Sequence, residues 1–273
     1  MPTELPEFER PPVNEVVFGV QFEPLKTLHA AHLGLYWNRV RERYPNTEEQ
    51  IPVAHLVEKF EPVTSRQPEG DIVIEVGSPP LVPRCWYLDE SKLQLTQVQP
   101  DRFLRNWRQI EGKEAYPRFK FLFERFREEW QGFLKFLEDE RIGTPAVDQC
   151  ELTYINHIPQ GEGWTEPSDF PRILSVWAGN RSSSFLPNPE LVNWRVSYLL
   201  PNQRGRLHVQ MKQAIRSRDR RPVIVLDLTA RGSPKSQYAD DISSWFDLAH
   251  EWIVRGFTEL TTPEMHKTWG RTK

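Results

Sequence analysis

One long amphipathic segment at the middle of the chain constrains the fold more than any other feature. Between Tyr116 and Arg141 the apolar residues recur at steps of three and four, the period of an α-helix with one face against a core. Pro117 suits a first helical turn, and Gly143 followed by Pro145 is a stop signal. The segment therefore predicts a long helix that covers a core. The predicted stripe comprises Phe119, Leu122, Phe123, Phe126, Trp130, Phe133, Leu134 and Leu137, widened by Phe121 and Phe136.

Alternating segments on both sides of this helix predict strands with one buried face. Residues 13–22 place Val16, Phe18 and Val20 on one side, and residues 147–158 repeat the pattern with Cys150 and Leu152. Turn-forming residues separate the other expected strands. Those strands are expected at residues 84–88, 92–98, 102–110, 191–200, 206–216 and 223–230, with shorter ones at 55–60 and 71–76. Helices are expected at 27–44, from a cap at Ser168, and at 240–260.

The order of these elements predicts an α+β protein with a mostly antiparallel sheet and helices on one face. Residues 1–143 read strand, helix, several strands and the long helix, and residues 144–273 read strand, helix, three strands and a helix. We interpret the two regions as β-α-β-β-β-α halves related by duplication. The order resembles the duplicated saddle of the TATA-box-binding protein, an analogy of fold that implies no function.

Composition excludes several classes of protein. The chain has 273 residues with ten Trp and fifteen Phe, enough large apolar side chains for a substantial core. Its net charge is −3 and neither half is strongly basic, which argues against a polyanion as the main partner. Two cysteines without paired spacing predict no disulfide framework and no cysteine zinc site. With no signal peptide and no long apolar run, we expect a cytoplasmic protein without a membrane partner.

Motifs near both ends of the chain resemble those of a known family. Residues 11–22 read PPVNEVVFGVQF, residues 247–251 read DLAHE, and residues 262–270 read TPEMHKTWG. Together they resemble a sporadically distributed family of uncharacterised prokaryotic proteins. The resemblance implies a prokaryotic origin, and it transfers no fold, activity or catalytic residue.

Known catalytic and cofactor motifs do not appear in the chain. His250 and Glu251 begin a zinc-protease-like helix motif, but Val254 stands where the second histidine would be needed. Gly161 and Gly163 lack the third glycine and the βαβ context of a dinucleotide site. The serine run at 182–184 has no nucleophile-elbow glycines. The sequence therefore predicts no metal, no cofactor and no catalytic residue.

The most suggestive polar pattern lies in the strand expected at 206–216. Polar residues alternate there with Leu207, Val209 and Met211, so one strand face is packed and the other presents hydrogen-bond donors. If helices cover one sheet face, these donors lie on the open one and bind a small anionic ligand or an acidic protein partner. The alternative is a solvated face balanced by Asp227 and Glu151. The candidate ligand-binding residues are Arg195, Arg204, Arg206, His208 and Lys212.

Three functional hypotheses follow. The first is a non-catalytic binding or interaction protein that uses the open sheet face or the proline-rich arm at 1–12, and that belongs to mobile or defence gene neighbourhoods. The second is an enzyme of unrecognised type in which His208, His250 or His266 works beside an acidic residue. The third is a nucleic-acid-binding saddle. A pocket with two convergent titratable groups favours the enzyme, and a flat sheet favours the binder.

We predict that the protein does not bind duplex DNA independently of sequence near physiological salt. A duplex across both halves would meet Glu15, Asp71 and Glu75 on one side, and these carboxylates repel phosphate. Any preference for anions is confined to Arg195, Arg204, Arg206 and Lys212. A gel-shift titration checks this, and micromolar affinity with a steep salt dependence contradicts it.

Overall fold

A single antiparallel sheet organises the molecule. The computed structural model describes residues 4–60, 82–176 and 189–273, together with Phe185 and Pro187. Within these residues nine strands form one sheet in the order β2-β3-β4-β5-β1-β6-β9-β8-β7. The strands are β1 (Val13–Phe22), β2 (Asn46–Gln50), β3 (Arg84–Leu88), β4 (Gln94–Gln99), β5 (Arg102–Arg108), β6 (Val147–Pro159), β7 (Trp194–Leu199), β8 (Arg206–Ile215) and β9 (Pro222–Gly232).

The first strand of each predicted half lies at the centre of the sheet. β1 and β6 pair antiparallel, with Phe18 opposite Leu152 and Val20 opposite Cys150. The last strand of each half, β5 or β9, flanks this central pair. The predicted α+β class with a mostly antiparallel sheet is confirmed. The division near residue 143 stays a prediction, because the sheet runs continuously through both halves.

Helices cover the apolar face of the sheet. They are α1 (Ala30–Val40), α2 (Phe119–Asp139), α3 (Ala239–Leu260) and α4 (Pro263–Thr268). The rings of Phe18 on β1, Phe126 on α2 and Phe246 on α3 meet with centroid separations of 5.0–5.7 Å. All three side chains are buried, so one aromatic cluster joins both long helices to the central strand. No helix in the described part of the chain is long and apolar enough to span a membrane.

The central helix forms as predicted but is narrower and shorter. It begins at Phe119, after Arg118 with φ of 77°, so Pro117 precedes the helix and does not occupy its first turn. Phe136 is buried, whereas Phe121 is 45% exposed and lies beside the Arg125 guanidinium. The expectation that Phe121 widens the buried stripe is therefore wrong.

The smaller elements differ more from expectation. Helix α1 is shorter than the predicted 27–44, because the Thr27 hydroxyl donates to the backbone oxygen of Ile142 and does not cap a helix. Leu35 on α1 is 48% exposed. Instead of a helix capped by Ser168, a 3-10 helix begins at Pro167 and is capped by Glu166. The strand expected at 71–76 lies outside the described residues.

Residues 55–60 form no strand, and with residues 51–54 they cross the polar sheet face as a segment that we call the strap (residues 51–60). Side chains from several strands hold its backbone. The Gln99 amide bonds the nitrogen and oxygen of Val53 at 3.0 and 2.8 Å, and the Gln149 amide bonds Leu56 oxygen and Glu58 nitrogen at 2.6 and 2.8 Å. The sheet face that the sequence predicts to be open is thus partly covered.

We predict that the aromatic cluster dominates stability. Phe126→Ala removes a buried ring and lowers the free energy of unfolding by about 3–5 kcal/mol, because the fixed helix and sheet cannot fill the cavity. Phe121→Ala on the same helix serves as the matched control and costs less than about 1 kcal/mol, because that ring is already half in water. Urea unfolding measures both, and equal losses would contradict this account of the core.

Candidate functional site

The structure gathers two of the predicted ligand-binding residues around a carboxylate from the strap. Arg206 and His208 share the polar face of β8, as the alternation predicts. Arg206 Nη1 donates to Glu58 Oε2 at 2.6 Å, and His208 Nε2 lies 2.5 Å from Glu58 Oε1. The Arg206 guanidinium also lies 4.8 Å from the centre of the Phe60 ring. The basic pair is therefore occupied by an acidic and an aromatic residue of the same chain.

Glu58 is ionised in this setting. Burial by itself raises the pKa of the carboxyl, but hydrogen bonds and charges from His208 and Arg206 outweigh burial and hold the pKa below its usual value. The side chains of Glu58, Arg206 and His208 are only 11%, 9% and 13% exposed, so water screens these interactions weakly.

The other three predicted residues do not contact Glu58. Arg204 precedes Gly205, whose φ of 150° and close approach to the Arg231 backbone oxygen interrupt the strand alternation. The backbone oxygen of Arg204 accepts from Trp245 Nε1 on α3 at 3.0 Å. Arg195 and Lys212 are exposed on β7 and β8. An anion site built from all five residues stays a prediction.

The acidic residues expected to balance this face have other partners. Glu151 pairs with Arg231 at 2.6 Å, and Asp227 accepts from the Thr229 hydroxyl at 2.9 Å. Burial raises the pKa of Asp227. Glu58, which sequence reasoning did not single out, neutralises Arg206.

A histidine that lies between two aspartates also ties the strap to the sheet. His55 Nδ1 lies 2.8 Å from Asp101 Oδ2, and His55 Nε2 lies 3.0 Å from Asp148 Oδ2. Among the residues with described positions, no group of three or more His, Cys, Asp or Glu side chains is arranged to hold a metal ion. We therefore treat His55 as an anchor of the strap.

On the opposite side of the sheet lies a pocket of about 490 Å³, which we call the helix-side pocket. The N-terminal arm from Glu4 to Val13, the start of α2, β6 and α3 enclose it. Its walls are mainly apolar, and four uncharged polar residues also line it. The apolar residues include Leu5, Pro6, Phe8, Pro11, Val13, Phe119, Ile253, Val254 and Phe257, and the polar ones are Tyr116, Tyr154, Asn156 and His250.

The polar residues of the helix-side pocket lie close to one another. The hydroxyls of Tyr116 and Tyr154 are 2.7 Å apart and share a hydrogen bond. The His250 ring stacks on Phe119 with centroids 3.8 Å apart and an interplanar angle of 6°. Tyr154 is 6.2 Å from the same ring, centre to centre. Neither ring nitrogen of His250 has a hydrogen-bond partner among the residues that the structure describes, so both are free for a ligand.

Burial keeps these groups uncharged near neutral pH. It lowers the pKa of His250 to about 4, and it raises the pKa values of Tyr116 and Tyr154. The charged residues of the pocket lie in the N-terminal arm, in the approach to α2 and its first turn, and at the end of the chain. They are Glu4, Glu7, Arg118, Lys120 and Lys273.

Comparisons with known proteins found no match. No protein-family model, curated protein sequence or solved structure matches this chain. The candidate sites are therefore interpreted from geometry alone.

Sequence reasoning noticed two histidines of these sites but missed their surroundings. His208 finds an acidic neighbour in Glu58, as the enzyme hypothesis requires. His266 instead bonds the Thr261 hydroxyl at 2.9 Å. A signal for the helix-side pocket was present in α3, where His250 stands four residues after Phe246 and three before Ile253, on the buried stripe.

We predict that Glu58→Gln lowers the free energy of unfolding at pH 7 by about 1–3 kcal/mol, because two charge-assisted hydrogen bonds lose their charge. The folded-state pKa of Glu58 is lowered, so this stability is present above the ordinary glutamate pKa and is lost as pH falls through the folded value. The difference from wild type should therefore shrink as pH falls below about 4. Urea unfolding across pH measures it, with exposed Glu48→Gln as the control; a difference as large at about pH 3 as at pH 7 would contradict the assignment.

Proposed function

We propose that this protein binds a small molecule with an apolar body, that the ligand occupies the helix-side pocket, and that no catalysis takes place in this pocket. The observation that supports this most is a mainly apolar cavity of about 490 Å³ lined by a tyrosine hydroxyl pair and by a histidine with no hydrogen-bond partner among the described residues. Ligand sites in proteins have this size and this combination of apolar walls with few polar groups.

The protonation states of the pocket favour binding over catalysis. The pocket does hold convergent titratable groups, which by themselves favour an enzyme. General acid–base catalysis, however, works best when a pKa lies near the operating pH. The pKa of His250 is about 4 and both tyrosine pKa values are raised, so these side chains keep fixed protonation states at neutral pH. They act as hydrogen-bonding groups that orient a ligand.

The distribution of charge indicates the ligand class. The walls are mainly apolar, and Tyr116, Tyr154 and His250 are uncharged at neutral pH, so the pocket favours a flat or aromatic body. Lys120, which lines the pocket from the first turn of α2, is exposed and forms no ion pair with any described residue. We therefore expect an aromatic carboxylic acid whose ring enters the pocket and whose carboxylate pairs with Lys120 at the edge.

The sheet order supports the duplication proposed from the sequence. In each half the first strand lies centrally and the last strand lies next to it, as β5 does beside β1 and β9 beside β6. Independently of the sheet order, the resemblance to a sporadically distributed prokaryotic family leads us to place the gene among mobile or defence genes in a prokaryote. A constant neighbouring gene then encodes the protein that makes, uses or senses the ligand.

We predict that 2-naphthoate, the probe, binds the wild-type protein with a Kd of about 0.1–1 mM, as expected for a ligand of this size. Val254→Trp should weaken binding at least about tenfold, because the indole fills the pocket lined by Val254. Ser244→Trp is the matched control on the same helix, at an exposed position outside the pocket. Isothermal titration calorimetry measures each Kd.

Two further measurements separate the parts of this proposal. Lys120→Gln should weaken 2-naphthoate but leave the uncharged 2-naphthalenemethanol unchanged, because only the acid pairs with the lysine. The His250 ring protons should shift on ligand addition in NMR spectra. Equal affinity in wild type and Val254→Trp would refute the pocket as the site, and equal loss of both ligands in Lys120→Gln would refute the carboxylate contact alone.

A further inference from the structure

The polar sheet face carries a three-residue hydrogen-bond chain on the side opposite the helix-side pocket. Ser197 on β7 and His208 on β8 are cross-strand partners, and Ser197 Oγ lies 2.8 Å from His208 Nδ1. His208 Nε2 lies 2.5 Å from Glu58 Oε1 on the strap. A hydroxyl, an imidazole and a carboxylate therefore stand in sequence, each within hydrogen-bonding distance of the next.

We propose that Ser197 is the nucleophile of an acyl-transfer site for small carboxylic esters, with His208 as general base and Glu58 as the residue that orients the base. A nucleophile in hydrogen-bond contact with a base, which a third group orients in turn, is the arrangement by which such sites are recognised on unrelated folds. This inference goes beyond the proposed binding function and does not depend on it.

The contacts of Glu58 fix the protonation that this chemistry needs. Arg206 Nη1 donates to the second carboxylate oxygen at 2.6 Å, which favours the ionised acid. An ionised Glu58 accepts a hydrogen bond from His208 Nε2–H. In the neutral imidazole with its proton on Nε2, the lone pair of Nδ1 is directed at Ser197 Oγ. The base is thus ready to accept the serine proton.

The proposed nucleophile is exposed to solvent, whereas the base and the carboxylate that orients it are largely buried. Ser197 is exposed at the edge strand, so an ester can reach its hydroxyl. His208 and Glu58 are largely covered, with side chains 13% and 11% exposed.

The reaction balances with water as the only co-reactant. Ser197 Oγ attacks the ester carbonyl carbon and its proton passes to His208 Nδ1. The carbon–oxygen bond to the alcohol then breaks, and the alcohol leaves with the proton from Nδ1, so an acyl-serine remains. Water attacks the acyl-serine with its proton taken by Nδ1, and release of the carboxylic acid restores the serine hydroxyl.

A fluorophosphonate probe on the full chain tests the proposal. The activated serine displaces fluoride from phosphorus and releases fluoride and a proton, which leaves a covalent mass that peptide mapping locates. We expect the label at Ser197 and at least about 100-fold faster there than at Ser91, because an assisting base contributes about that factor or more. Ser91 is the internal control, since it bonds the Asp89 carboxylate at 2.8 Å without a histidine.

Two variants test whether the contact between Ser197 and His208 activates the serine or is only a structural hydrogen bond. Ser197→Ala, at an exposed position that should not affect folding, should abolish the label and the hydrolysis of p-nitrophenyl acetate. His208→Gln should reduce labelling of Ser197 to the rate at Ser91, and circular dichroism confirms that each variant is folded. A wild-type protein that labels Ser197 no faster than Ser91, or ester hydrolysis that survives in Ser197→Ala, would overturn the proposal. The wild-type mapping decides the question even if His208→Gln does not fold.

Discussion

The antiparallel pairing of β1 with β6 is the contact on which the rest of the molecule depends. Val16, Phe18 and Val20 on β1 stand opposite apolar or aromatic residues of β6 and create a continuous apolar surface at the middle of the sheet. Helices α2 and α3 cover this surface because leaving it in water would cost on the order of 25 cal/mol for each Å². Since strand side chains alternate, the same pairing directs Gln21 and Gln149 to the other face.

The two faces of the sheet consequently have different chemistry. On the helix side, burial penalises charge, so His250, Tyr116 and Tyr154 remain neutral and serve as hydrogen-bonding groups. On the polar side, charges are retained where a buried or half-buried ion has a partner, as Glu58 has in Arg206 and Arg231 has in Glu151. The two proposed functions, binding of an apolar ligand and acyl transfer that needs a carboxylate, therefore use opposite faces of the sheet.

The strap shows how an irregular segment can be held without joining the sheet. Its backbone polar groups are satisfied by amide and guanidinium side chains that stand on β1, β4, β5 and β6, among them Gln21, Gln99, Arg102 and Gln149. Because these long side chains form the bonds, the strap crosses the strands at a fixed position and delivers Glu58 to His208. The polar residues of the sheet face therefore act largely as supports, a role that no alternation pattern distinguishes from ligand binding.

The sequence by itself determined the elements that have one apolar face. Phe18 and its neighbours on β1, the α2 stripe and the α3 stripe all follow from the periods of two and 3.6, because burial of one side imposes that period. Strand β2 was not predicted, because an exposed edge strand is defined by its backbone pairing with β3 and has no buried face to give a pattern. The tertiary structure alone decided which side chains meet: Tyr116 finds Tyr154, and Glu58 finds His208 150 residues away. Hydrophobic burial is not directional, so the sequence pattern it leaves shows only which face of an element is buried. A hydrogen bond forms only after packing has placed two particular atoms at bonding distance, so no pattern within one element predicts it.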